Sequence, residues 1–196
     1  MEIILDKVMA FISKDDDFDE DEAEVVRYGL EIVITRTFFA IVIAIIGLLM
    51  NCFWESVVFA VSFSLLREYG GGYHAETRKK CFVLSILTLV AALSIIKLAE
   101  SFYILTFPLC GISLISFIYI LLNAPIDTPN KRFDEDEIKL YGRKARLVTA
   151  ILLIASVFLW VFNLSDFAFT ILTGIIIQAY LMIKGQISNS RNREEV

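Results

Sequence analysis

Residues 102–122 read FYILTFPLCGISLISFIYILL and contain no charged side chain. At about 1.5 Å per residue, such a run is long enough to cross a hydrocarbon layer of about 30 Å as a helix. Working outward, five further apolar runs lie at about 31–49, 53–67, 82–98, 147–162 and 166–184. The runs at 53–67 and 147–162 are short for a full crossing. They extend into their flanks, sit in thinned bilayer, or form part of a re-entrant hairpin. Pro108 and Gly111 suggest a kink, or close helix packing, in the fourth run. Hydrophobic residues make up 57% of the 196-residue chain and mean hydropathy is +0.69, above the roughly 45–50% apolar content of soluble domains. The expected fold is an all-α integral membrane protein of about six transmembrane helices, forming one polytopic domain over 1–196.

The flanks set the expected orientation. Residues 1–30 hold an amphipathic stretch, EIILDKVMAFI at 2–12, and then an acidic run, KDDDFDEDEAE at 14–24. The first reads as a helix on the membrane surface or packed on the bundle. The second reads as a solvated helix start, since acids favour a helix N-terminus; it lacks the glycine and ligand register of a calcium loop. No cleavable signal pattern precedes them. The tight connections at 50–52, 99–101 and 163–165 contain no Lys or Arg, whereas Arg67, Arg78, Lys79, Lys80, Lys131, Arg132, Lys139, Arg143, Lys144 and Arg146 fall in or beside the other loops. The positive-inside rule then puts both termini and both long loops in the cytoplasm, with Lys97 snorkelling outward beside Glu100. Asp134 and Glu137 have capping-box spacing, which predicts a cytoplasmic helix leading into the fifth span. The net charge of −5 comes from segregated acid and base, and the basic segments lack the aromatic interleaving of a nucleic-acid surface.

Chemistry concentrates at 67–81, REYGGGYHAETRKKC. Three glycines allow backbone angles closed to other residues, and in a membrane protein such irregular backbone must face water or protein. The chain's only histidine, His74, follows; Cys81 comes seven residues later at the expected start of a helix. A helix N-terminus and the cations Arg78, Lys79 and Lys80 favour a thiolate, and an imidazole can take the thiol proton and return it to a leaving amine. One histidine is too few for a two-histidine zinc site, so no metal or other cofactor is expected. Cys52 and Cys110 sit at a span end and within a span. A continuous helix from His74 to Cys81 would separate them by about 10 Å, beyond hydrogen-bond reach. Either the intervening chain is not helical throughout, or the pair forms across subunits. On residues alone, a buried cysteine and a capping histidine remain open.

The 67–81 segment closely resembles the signature of the AgrB family, membrane endopeptidases that process quorum-sensing propeptides. The family pattern falls on Arg67, Gly71, Gly72, His74, Ala75 and Cys81, and the likeness extends to size, the order of spans and NAPID at 123–127. The resemblance implies a bacterial plasma-membrane cysteine endopeptidase with a cytoplasmic active site. Its partner would be an AgrD-like propeptide with an amphipathic leader, a central cysteine or serine and an acidic tail, and the enzyme would self-associate, a homodimer being the natural form. Cys81 and His74 are then catalytic. Arg67, Arg78 and the amides of Gly70–Gly72 are candidates for binding the tail or the oxyanion. Glu76, Glu68, Asn123 and Asp127 are candidates for orienting His74. The rival readings are a small transporter, whose mark would be charge in mid-span and for which only Arg36 and the polar Gln178 qualify, and a non-enzymatic scaffold.

Overall fold

The structure, a computed structural model, describes residues 6–10, 19–73, 77–127 and 134–194. Helices account for nearly all of them, and no strand occurs among the described residues. The helices are α1 (Glu20–Leu49), α2 (Phe53–Gly70), α3 (Arg78–Ser101), α4 (Thr106–Asn123), α5 (Glu135–Val161) and α6 (Ser165–Glu194), with a 3₁₀ turn at Tyr103–Leu105. Each expected apolar run thus lies within or against one helix. Five of them, all but α2, are long and apolar enough to cross a membrane. The 18 residues of α2 include Glu55, Arg67 and Glu68, which is why its composition falls short.

The chain divides into two compact units, Met1–Ile45 and Ile46–Val196, with the division inside α1. In the first, α1 starts where the acidic run supplies a reciprocal cap. The Glu22 amide donates to Asp19 Oδ1 at 2.7 Å, and the Asp19 amide donates to Glu22 Oε2 at 3.4 Å. Residues 6–10 are helical, and Asp6 meets Arg27 at 3.2 Å, an exposed pair worth little in water. The rest of the 2–12 stretch and residues 14–18 lie outside the described residues.

In the second unit α6 is the central post. It packs against α2, α3, α4 and α5, and 67% of its apolar window is buried, against 22%, 28% and 17% for α3, α4 and α5. From Ala168 to Ile175 every residue is buried, as expected for a helix that is apolar all round. Several buried hydroxyls are satisfied within their own helices: Thr149 donates to the Ala145 carbonyl at 2.6 Å, Thr170 to Asp166 at 2.7 Å and Ser62 to Val58 at 2.8 Å. This lets polar residues enter a dry core without a partner helix.

Charge gathers at the two ends of this unit. At one end Asn51 and Asn163, both at positive φ, turn the chain tightly. There Glu55, Glu100 and Asp166 bring carboxylate oxygens within 4.8 Å of one another, and Lys97 reaches the Asn51 carbonyl at 3.4 Å, as expected for a snorkelling lysine. Trp54 and Trp160 are exposed at this end, the place of an interfacial aromatic belt.

The chain departs from expectation in the fourth run. The helix restarts at Thr106, after the 3₁₀ turn, so Pro108 lies in the first turn of α4, where its missing N–H costs no helix bond. It does not kink the helix, and a Cβ at Gly111 would meet nothing within 4 Å, so close packing does not explain that glycine either.

The fifth helix follows its sequence signal. The Glu137 amide donates to Asp134 Oδ1 at 2.7 Å, and the Asp134 amide donates to Glu137 Oε2 at 3.3 Å, and α5 then runs unbroken from Glu135 to Val161. Asp134→Ala is expected to lower stability by about 0.5–2 kcal/mol, with Asp134→Asn retaining most of it; reversible unfolding in micelles measures the difference.

Candidate active site

Cys81 lies in the first turn of α3 and is half-buried. Thr77 caps this helix in an extended conformation (φ −127°, ψ 149°), its hydroxyl accepting from the Lys80 amide at 3.2 Å. The Cys81 amide donates to the Thr77 carbonyl at 2.9 Å. An extended Thr77 rules out a continuous helix from residue 74 to residue 81, in keeping with the first of the two alternatives left by their spacing, a chain not helical throughout. His74 and Glu76 themselves lie outside the described residues, as does the side chain of Arg78.

The glycine segment is held from three sides. Gly70 ends α2, Gly71 adopts φ 67°, ψ −146°, and Gly72 has φ 109°, regions that favour glycine. Gly71 pairs in parallel with Ile126: the Ile126 amide donates to the Gly70 carbonyl at 3.0 Å, and the Gly72 amide approaches the Ile126 carbonyl at 3.4 Å. From α6, Gln178 Nε2 donates to the Gly71 carbonyl at 3.0 Å, and the Leu181 carbonyl accepts from the Tyr73 amide at 2.9 Å. From α2, Arg67 donates to the Gly71 carbonyl at 2.8 Å and also to the Tyr73 carbonyl. Lys184 stands over the Tyr73 ring at 4.1 Å, a cation–π contact.

Arg67, Gly71 and Gly72 are therefore brought together, with Arg67 bracing the backbone of its own loop. Asp127 directly follows the residue paired with Gly71, and its carbonyl accepts from Asn189 at 2.6 Å. Asn123 is engaged between helices: it donates to the Tyr119 carbonyl at 3.0 Å and accepts from Gln186 at 3.5 Å. Glu68 is exposed on the last turn of α2.

The other cysteines differ from Cys81 in setting. All three are free. Cys52 is buried in the α1–α2 connection, where burial pushes its thiol up against the opposing pull of Lys97. Cys110 is in the second turn of α4, nearer the helix start than its position in the apolar run suggests.

Gln178, Leu181 and Asn189 on α6, and Ile126, were not singled out as site residues by sequence reasoning. The one available signal was an amide, Gln178, in an otherwise apolar run, since polar groups at such positions are costly. Parallel pairing of two short loop segments leaves no periodicity to read.

These features define a class: a polytopic helical membrane protein with a thiol on the first turn of one helix beside a glycine loop clamped onto another. A sequence model of the family "Accessory gene regulator B" matches residues 5–182. The chain therefore belongs to the accessory gene regulator B family, which places it in the accessory gene regulator quorum-sensing system and associates it with that system's AgrD propeptides. It is 30% identical over 159 residues to AgrB-like protein 2 of Clostridium perfringens strain 13, covering 79% of this chain and 72% of that protein. It is 26% identical over 179 residues to accessory gene regulator protein B of Staphylococcus aureus strain MW2, covering 91% and 92%. No solved structure matches.

Because Gly71 combines positive φ with contact against the Ile126 carbonyl, Gly71→Ala is expected to lower stability by about 1–3 kcal/mol. Gly111→Ala, with open space around it, is expected to be neutral or slightly stabilising. Thermal melting of the two purified variants compares them.

Proposed function

We propose that this chain is a membrane-embedded cysteine endopeptidase that removes the C-terminal tail of an AgrD-like propeptide and closes the remaining peptide into a thiolactone or lactone signal. The observation that carries the reading is the position of Cys81: first turn of a capped helix, half-buried, and a few residues along the chain from a clamped glycine loop that leads into the only histidine.

The chemistry uses few groups. His74 takes the Cys81 proton, and the thiolate attacks the scissile carbonyl carbon. The C–N bond breaks, and the leaving amine takes its proton from the imidazolium. The peptide is left as a thioester on Cys81. Its own thiol or hydroxyl then passes its proton to His74 and attacks that carbonyl, the thioester C–S bond breaks, and the released Cys81 thiolate takes the proton from the imidazolium. Ring closure outruns hydrolysis because the attacking group is tethered and has a high effective concentration. Arg67 holds the loop in shape, Arg78 is available to the acidic tail, and Gly71 and Gly72 border the oxyanion. Glu76 and Asp127 are the candidates to orient the imidazole.

The charge distribution supports a cytoplasmic site. Lys144, over the Tyr69 ring at 5.5 Å, and Lys184, over Tyr73, gather with Arg67 at the glycine-loop end, while the opposite end carries the three carboxylates. Basic residues favour the cytoplasmic face. The enzyme acts in the plasma membrane as a homodimer.

The test is co-expression with the short peptide encoded beside the gene, read by mass. Wild type is expected to yield a shortened peptide. Cys81→Ala and His74→Ala are each expected to reduce processing to below about one thousandth, and Cys52→Ala and Cys110→Ala to leave it unchanged. Undiminished processing by Cys81→Ala overturns the reading.

A further inference from the structure

Resting on the peptidase reading above, we propose that Gln178 and Gly185 of α6 are positioning residues, which set the backbone immediately preceding His74 and so the register of the imidazole against Cys81. Three observations lead there. First, the Gly71 carbonyl receives two donors, Gln178 Nε2 at 3.0 Å and Arg67 at 2.8 Å, so both of its lone pairs are used. Second, the Tyr73 amide is tied to the Leu181 carbonyl at 2.9 Å. That approach of loop to helix requires Gly185, since a Cβ there would lie 2.8 Å from both the Gly72 carbonyl carbon and the Tyr73 nitrogen. Third, Gln178 is fully buried, and its Oε1 has no hydrogen-bond partner among the described residues.

The third point separates positioning from simple support. An unpaired buried acceptor is costly, and an apolar side chain of the same shape would fill the space without that penalty. Removing the Gln178 donor still leaves the Gly71 carbonyl paired with Arg67, so no new orphan appears. What Gln178 adds is direction: the carbonyl is held from α6 as well as from α2. Gln178, Leu181 and Gly185 follow one another along a single face of α6, at helical spacing. They make a rail along which residues 71–73 are laid. Tyr73 precedes His74, and Thr77, at the far end of the intervening chain, caps the helix of Cys81. The chain is thus held at residue 73 on one side of the histidine and at Thr77 on the other, and catalysis is sensitive to displacements of about 1 Å.

The experiment uses the full chain in liposomes, with a synthetic propeptide of the sequence encoded beside the gene. It measures kcat, KM and thermal melting for Gln178→Met, Gly185→Ala and, as a control on the same helix, Gly174→Ala, whose Cβ would have Ser62 Oγ at 3.6 Å as its nearest neighbour. Gln178→Met is expected to lower kcat at least about tenfold and Gly185→Ala about a hundredfold, with KM within about twofold and Gln178→Met melting as the wild type does. Gly174→Ala is expected to match wild type. A Gln178→Met kcat within about twofold of wild type overturns the positioning role, as does a loss that only tracks the folded fraction or appears in KM alone. If the wild type itself does not cut the peptide, the peptidase reading fails and the positioning role with it. Wild-type cutting with an unimpaired Gln178→Met removes the positioning role and leaves the peptidase reading standing.

Discussion

Backbone that leaves a helix inside a membrane protein has to find partners for its amides and carbonyls, because lipid offers none. At Gly70–Tyr73 this requirement governs the arrangement around it. The carbonyls of Gly70, Gly71 and Tyr73 and the amides of Gly72 and Tyr73 are met by Ile126, Gln178, Leu181 and Arg67. Those partners come from three separate parts of the chain: Arg67 from α2, Ile126 from the segment after α4, and Gln178 and Leu181 from α6. The irregular segment thereby has its backbone groups paired much as a helix would. A glycine run, which in water would serve as a hinge, here becomes a seat.

The same constraint explains the place of α6. A central helix that contacts four others is largely apolar through its middle, with small hydroxyls such as Thr170 bonded within the helix, and two of its amide side chains meet displaced backbone. Gln178 does so inside the bundle, and Asn189 does so further along, against the Asp127 carbonyl. Around it the packed cluster of Leu66, Ile120, Ile126, Ala145, Ile175 and Met182 joins α2, α4, α5 and α6 just behind the seat. This buried cluster and the glycine segment are thus neighbours, an arrangement that holds a loop in place through packing.

Much of this was readable in the chain. Lipid demands long uncharged runs, so all six helices announced themselves, and the Asp134–Glu137 box marked the start of α5 to the residue. The 74–81 spacing also raised a break in the helix between His74 and Cys81 as one of two alternatives, and the extended Thr77 supplies that break. Other features could not be read. Of the five span-capable helices α6 has the least apolar window, so hydropathy could not single it out as the buried one; only packing decides that. Pro108 misled because the apolar run begins at 102 whereas the helix begins at Thr106, which turns a mid-run proline into a first-turn proline. The Gly71–Ile126 pairing joins segments far apart in sequence through backbone alone, and side-chain patterns carry no trace of it.

One consequence follows from the length of α2. From Glu55, at the carboxylate cluster, to Gly71, at the seat, the helix rises only about 24 Å, whereas an unperturbed acyl layer is about 30 Å deep. Carboxylate side chains at one terminus and non-helical peptide at the other both call for water or headgroups. A bilayer crossed along this flank would therefore have to shorten, drawing the aqueous boundary inward to meet the protein.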